Sequence, residues 1–114
     1  EDGRLSWSEA ATALARRVRA MQPWPGAFTE LPDGLRLKVL AATALPTPES
    51  RRARAVGTVV TDREHPAVVT ASGLLRLDVV QPAGRTPMPG DAFLRGRADL
   101  RSGEAVLPSR PTAR

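Results

Sequence analysis

The apolar residues near the start of the chain recur at helical spacing. Trp7, Ala11, Leu14, Val18 and Met21 are separated by steps of four and three residues. This spacing places them on one stripe of a helix, because residues three and four apart lie on the same helix face. The pattern predicts a helix whose apolar stripe packs against a core.

The ends of this helix carry their own signals. Ser6 and Glu9 have the spacing of a capping box, which predicts that the helix starts there. Pro23 lacks an amide hydrogen and disfavours helical geometry in the residue before it, so it predicts the end. Three cations lie off the stripe near its end and suit either a solvated face or a nucleic-acid contact. They are Arg16, Arg17 and Arg19.

After this break the apolar period changes from near 3.6 to 2, which indicates strands. Residues 27–31 and 35–39 flank the sequence Pro32-Asp33-Gly34, whose Asp-Gly pair is a strong hairpin signal. In the second strand Leu35, Leu37 and Val39 alternate with two cations. The cations, Arg36 and Lys38, are predicted to face outwards.

Further strands are predicted in the middle of the chain. Residues 57–61 form one strand, 62–66 a turn, and 67–71 and 74–80 a hairpin joined through Ser72-Gly73. The last of these strands alternates strictly, so its apolar and charged residues should lie on opposite faces. The apolar residues are Leu75, Leu77 and Val79, and the charged residues are Arg76 and Asp78.

Prolines and glycines mark the remaining segments. Residues 46–54 and 81–89 are predicted to be loops. Residues 91–97 are predicted to form a short helix that buries Phe93 and Leu94. The resulting order of elements predicts a mainly β fold, a small antiparallel OB-like barrel with an N-terminal helix and a short C-terminal helix.

Length and charge limit the function classes. The 114 residues suit one domain, predicted to span 1–107 before a disordered tail at 108–114. The net charge of +5 favours a polyanionic partner, either nucleic acid or an anionic membrane surface.

No run of about 18 apolar residues occurs, so we expect a soluble cytoplasmic protein. The chain begins at Glu1 without a methionine, which suggests a part of a longer polypeptide.

Candidate chemistry favours binding over catalysis. There is one histidine, His65, and there are no cysteines, so neither a catalytic residue nor a metal site is predicted. Only four aromatic residues occur, which argues against base stacking as the mode of binding. Phosphate contacts through cations are expected instead. The candidate nucleic-acid-binding residues are Arg36, Lys38, Arg63, Arg76, Arg85, Arg95 and Arg97.

Three segments together resemble a known family. MQPWPGAF at 21–28, GLLRLDVVQPAGRTPM at 73–88 and FLRGR at 93–97 are similar, in order and spacing, to the C-terminal domain of methionyl-tRNA formyltransferase. The resemblance implies an OB-type barrel that helps to hold initiator tRNA during translation initiation. It also implies a separate N-terminal catalytic domain, absent from this chain, that binds 10-formyltetrahydrofolate.

The resemblance also implies roles for single residues. Arg85 lies where the family carries a basic residue, which favours a phosphate contact. Trp24, between Pro23 and Pro25, would wedge the helix against the barrel or form part of the surface that docks on the catalytic domain. The formyl transfer itself would belong to the parent polypeptide, which is expected to be a monomer.

Two other interpretations remain open at this point. The chain could be the C-terminal barrel of a formyltransferase with another substrate, a folate or a nucleotide sugar, in which it serves as an interdomain or oligomer surface. It could also be a free-standing OB-type RNA-binding module, although the missing methionine argues against that.

Overall fold

The computed structural model describes residues 3–22, 26–48 and 54–108. In these ranges one antiparallel sheet follows a ten-residue helix and precedes two short helices. The helices are α1 (Ala11–Ala20), α2 (Gly90–Arg95) and α3 (Ala98–Arg101). The strands are β1 (Ala27–Glu30), β2 (Arg36–Leu45), β3 (Val59–Asp62), β4 (His65–Val69), β5 (Leu74–Pro82) and β6 (Met88–Pro89).

The sheet is built from hairpins joined by one long ladder. The strands pair in the order β1-β2-β5-β4-β3, with β6 added to β5. The ladder between β2 and β5 joins the β1–β2 hairpin to the β3–β4–β5 meander. The predicted class, mainly β and antiparallel with an N-terminal and a short C-terminal helix, is confirmed. OB-like closure stays a prediction, because the described ladders do not join β1 to β3.

The helix α1 begins later than the capping box predicts. It starts at Ala11, and its N-cap, Ala10, makes no side-chain hydrogen bond. The Ser6 hydroxyl contacts that of Ser8 at 2.8 Å instead of capping the helix. The reason is tertiary: backbone bonds tie this segment to the sheet, with the Leu5 amide donating to the Phe28 carbonyl at 2.8 Å. These long-range bonds replace the local cap.

The predicted apolar stripe is buried. Ala11, Leu14 and Val18 of α1 are at most 1% exposed, and Trp7 is fully buried just before the helix. Met21, the last member of the stripe, is only half-buried because it lies at the helix C-cap. The helix packs on β2 and β5, and so the stripe covers one face of the sheet.

The β1–β2 hairpin forms where the Asp-Gly pair predicts it. Gly34 has a φ of +91°, which favours glycine, and the Leu31 amide donates to the Leu35 carbonyl at 2.8 Å. The Leu35 side chain was predicted to belong to the buried alternation, and this is wrong. Leu35 is 52% exposed, because the strand begins only at Arg36.

The alternation in β5 breaks before Val79. Leu75 and Leu77 are buried as predicted, but Val79 is only half-buried and Val80 is fully buried. The pairing with β2 shifts register between Val39 and Ala41 and again by Ala42. An irregularity of this kind changes the face of the sheet on which the following side chains lie. A strict period of two therefore assigned the wrong residue to the core.

The C-terminal part is more helical than predicted. The short helix predicted at 91–97 forms as α2 and buries Phe93 and Leu94 as expected, and a further short helix, α3, follows it. Leu100 of α3 adds a second anchor at 2% exposure. Leu107 is also buried, and its amide donates to the Gly57 carbonyl at 2.8 Å.

Some predictions fall on residues that the structure does not describe. These are the break at Pro23 with Trp24, most of the predicted loop at 46–54, and the tail from residue 109. The proposed limits of the domain and of its tail therefore stay predictions.

Candidate nucleic-acid interface

Three of the predicted cations lie together where β2 begins and β5 ends. In the ladders Lys38 is paired with Phe28 on one side and with Gln81 on the other. The Ala83 amide donates to the Arg36 carbonyl at 3.0 Å, and the Gln81 amide group donates to the Arg85 carbonyl at 2.8 Å. The first bond holds the loop after β5 against the start of β2, and the second ties that loop to β5 itself. We call Arg36, Lys38 and Arg85 the hairpin cluster.

The hairpin cluster has no ion-pair partner within the described residues. Arg36 is exposed, and its guanidinium lies 3.8 Å from the centroid of the Phe28 ring. The ring therefore orients the cation without neutralising it. Arg85 is exposed in its loop, and the aliphatic part of Lys38 lies over Gly26. None of the three therefore makes an ion pair in the described ranges, while Glu30 is the cross-strand neighbour of Arg36 and Asp33 shares a groove with Arg85.

The Phe28 ring also contacts a second cation, which no sequence motif identifies as a candidate. Arg4 lies 5.1 Å from the centroid of the same ring, and its guanidinium pairs with Glu30 at 3.1 Å. Arg4 precedes the helix by several residues, so only the tertiary bonds of its segment bring it there. No local motif could have predicted this contact.

Arg76 lies on the sheet surface but is held by acids. Its Nε donates to Asp78 at 2.7 Å, and its guanidinium is 3.6 Å from Asp62. The Thr43 hydroxyl donates to the other Asp78 oxygen at 2.6 Å. The Asp78 hydrogen bond is the main reason why the pKa of Arg76 is raised. This cation is fixed and locally neutralised, which makes it poorly suited to a phosphate.

Arg97 and Arg95 also have acidic partners. Arg97 makes a bidentate pair with Asp99, at 3.0 and 2.8 Å, and lies 3.6 Å from Asp33. The hydrogen bonds with Asp99 raise the pKa of Arg97 and lower that of Asp99. Arg95 is 3.5 Å from Asp91, but its side chain is 65% exposed, so this pair holds it only weakly.

Arg63 stands apart from the hairpin cluster. It lies in the tight turn between β3 and β4, with a φ of +49°, and is exposed. Backbone pairing therefore places Arg36, Lys38 and Arg85 at one end of the β2–β5 ladder, and Arg76 and Arg63 lie on other elements. Arg85 and Arg97 line one groove of about 690 Å³ that also contains Asp33.

His65 has a structural environment. Its Nδ1 lies 3.0 Å from the Arg63 carbonyl oxygen, and its ring packs close to Gly90. In the described part of the chain no three acidic, histidine or cysteine residues group together as a metal site would require. No helix there is both long and apolar enough to cross a membrane.

Comparison with known proteins places the chain in a family. The profile of the family described as "Formyl transferase, C-terminal domain" matches residues 1–98. The methionyl-tRNA formyltransferase of Gluconacetobacter diazotrophicus is 47% identical over 97 residues, which cover 85% of this chain and 30% of that protein. Those of Roseiflexus sp. and Chloroflexus aurantiacus are 40% and 42% identical, and the matches cover 84% and 91% of this chain.

The matches fall on only a part of each relative. The chain spans 29% of the Roseiflexus protein and 34% of the Chloroflexus protein, so most of each relative lies outside the matched region. The resemblance predicted from the three sequence segments is confirmed. The chain belongs to the formyl transferase C-terminal domain family, and within it to the C-terminal domain of methionyl-tRNA formyltransferase.

Proposed function

We propose that this domain binds tRNA and orients it for formyl transfer by the polypeptide that carries the domain. The hairpin cluster carries the proposal, because Arg36, Lys38 and Arg85 form a group of cations without acidic partners in the described residues. Guanidinium and ammonium groups suit phosphate oxygens, and such contacts position a nucleic acid without reading its sequence.

The chemistry of the reaction belongs elsewhere in the parent polypeptide under this proposal. The relatives are named as formyltransferases of methionyl-tRNA, and this chain covers less than a third of the first of them. An N-terminal catalytic domain would bind 10-formyltetrahydrofolate and transfer the formyl group to the amino group of initiator methionyl-tRNA. This domain would contribute affinity and orientation in a monomeric cytoplasmic enzyme of translation initiation.

Binding of tRNA across a salt series tests the proposal. We expect Arg36→Glu, Lys38→Glu and Arg85→Glu together to weaken tRNA binding, measured by fluorescence anisotropy, while circular dichroism stays unchanged. Each lost phosphate contact should reduce the slope of log affinity against log salt by roughly one unit. If tRNA affinity is unchanged in the triple variant, the proposal is wrong.

Arg63→Glu is the matched control. Arg63 and Arg85 are both exposed turn arginines without an acidic partner in the described ranges, and they lie in different loops. We expect Arg85→Glu to reduce affinity more than Arg63→Glu, although both change the net charge equally. Equal losses would mean that the general positive field, and not the hairpin cluster, attracts the tRNA.

A further inference from the structure

A second basic surface lies between α1 and β2, away from the hairpin cluster's loop. Arg16 and Arg19 of α1 line one side of a groove of about 350 Å³, and Ala42, Thr43 and Ala44 of β2 line the other. The groove continues past Thr12 and Ala44, which also line a neighbouring cavity of about 780 Å³. Arg54 lines that second cavity. We call the two together the α1–β2 groove.

The charged residues that line the described part of the α1–β2 groove are all cations. Arg16, Arg19 and Arg54 are exposed, and the described lining residues include no carboxylate. Asp78 accepts from the hydroxyl of Thr43, a lining residue, at 2.6 Å and from Arg76 at 2.7 Å. The groove of about 690 Å³ near Arg85 differs, because Asp33 lies in it. A phosphate in the α1–β2 groove would therefore meet the cations of the lining, while Asp78, which is bonded to Thr43, is already paired with Arg76.

The cations themselves are unneutralised. Within the described residues neither Arg16 nor Arg19 pairs with a carboxylate. Arg54 donates to the Gly103 carbonyl at 2.6 Å, which holds the guanidinium in place and leaves its charge intact. Arg16 and Arg19 are three residues apart, so they are neighbours on the helix surface. Two adjacent guanidinium groups can contact successive phosphates of one strand.

The shape of the α1–β2 groove fits a backbone better than a base. Its β2 side is made of small, half-buried residues, two alanines and Thr43. Such a surface lets a sugar-phosphate chain approach closely. The described lining contains no aromatic residue on which a base could stack. A recessed groove lined by small residues also differs from the protruding apolar face with which proteins enter a membrane surface.

We propose that the α1–β2 groove holds a stretch of RNA phosphate backbone, with Arg16 and Arg19 as the contacting residues and Arg54 extending the track. The inference rests on the proposed function, since it adds a second contact surface for the same RNA. Binding there is insensitive to base sequence, because the groove offers charge and shape but no base-reading group.

The test uses two kinds of variant of the 114-residue chain, with tRNA as the probe. Arg16→Glu with Arg19→Glu removes the contacting cations. Thr12→Glu leaves every arginine in place and adds a carboxylate where the two cavities meet. Thr12 is exposed in the first turn of α1, where an acid favours the helix dipole, so this variant should fold.

We expect the double variant to lose about tenfold in tRNA affinity beyond its control and to flatten the salt slope by roughly two units. The matched control is Arg63→Glu with Arg95→Glu, which makes the same charge change at exposed sites outside the groove. Thr12→Glu should also weaken binding, by a smaller factor. A short RNA hairpin should respond to the variants as tRNA does.

The outcomes separate this inference from the proposed function. If the hairpin-cluster variant weakens binding but the groove variants match their control, the groove inference alone is wrong. If the unmodified chain binds no tRNA even at low salt, both fail. Binding to vesicles containing anionic lipid, without binding to RNA, would likewise overturn both and identify the basic surface as a membrane contact.

Discussion

At the scale of single residues, the cations of this domain divide by whether a carboxylate pairs with them. Arg85 and Arg97 both follow a Gly and both line the same groove. Arg97 is held by Asp99 at 2.8 Å, whereas Arg85 has no acidic partner in the described ranges. The sequence holds part of this difference, because Asp99 lies two residues after Arg97 at the same spacing as Asp78 after Arg76, whereas the Asp33 that also faces Arg97 is distant in the chain.

The Arg97–Asp99 pair predicts a pH dependence of stability. Arg97 lowers the pKa of Asp99 below its usual value of 3.8. A carboxylate with a lowered pKa in the folded state stabilises the fold above its unfolded pKa, and this stabilisation is lost as the pH falls through the folded pKa. We expect the urea midpoint of the unmodified chain to fall more steeply below about pH 4 than that of Asp99→Asn.

Arg97→Gln provides the control for this pH effect. It removes the cation that lowers the pKa of Asp99. The urea midpoint of Arg97→Gln should therefore fall less steeply below about pH 4, as that of Asp99→Asn does. Combining the two substitutions should add no further change. If the urea midpoint falls as steeply with pH in all three variants as in the unmodified chain, other carboxylates govern acid unfolding.

At the scale of elements, turn chemistry was the most predictable feature. The Asp-Gly and Ser-Gly pairs mark the β1–β2 and β4–β5 connections, and both pairs of strands are antiparallel as predicted. The start of α1 and the core face of β5 were mispredicted for a common reason. Long-range backbone hydrogen bonds of residues 4–10 determine where α1 starts. A register shift between β2 and β5 determines which β5 residues face the core. Neither cause leaves a signal in the local sequence.

The two turn glycines differ in what surrounds them, which gives a second prediction. Gly34 and Gly73 have φ values of +91° and +88°, so alanine is strained at both. A Cβ at Gly34 would meet nothing within 4 Å, whereas one at Gly73 would lie 2.7 Å from the Leu45 carbonyl oxygen and 3.3 Å from Ala11 Cβ. Gly73 thus lies where the β4–β5 turn meets β2 and α1.

We expect Gly34→Ala to reduce the free energy of unfolding by about 1 kcal/mol through backbone strain alone. Gly73→Ala should cost at least about 2 kcal/mol, because the added Cβ also pushes against backbone. Urea unfolding of the two variants measures the difference. Equal costs would mean that the close approach at Gly73 relaxes without penalty.

At the scale of the whole molecule, the segment before α1 completes the core of the sheet. The Trp7 carbonyl accepts from the Ala71 amide at 2.9 Å, and the Ala11 amide donates to the Ser72 carbonyl at 2.9 Å. The same segment brings Arg4 to Phe28 beside the hairpin cluster. Residues near the chain start therefore support both the core and the candidate interface, although they lie outside every strand.

Trp7 and Leu35 provide the last prediction, because the apolar pattern assigned both to the core. Trp7 is 0% exposed within the main core cluster, while Leu35 is 52% exposed at the hairpin tip. We expect Trp7→Ala to cost about 3–5 kcal/mol, a large share of the stability of a small domain. Leu35→Ala should change stability by less than about 0.5 kcal/mol, as exposed sites do. Urea or thermal unfolding compares them, and a small loss for Trp7→Ala would mean that the segment before α1 is not part of the cooperative core.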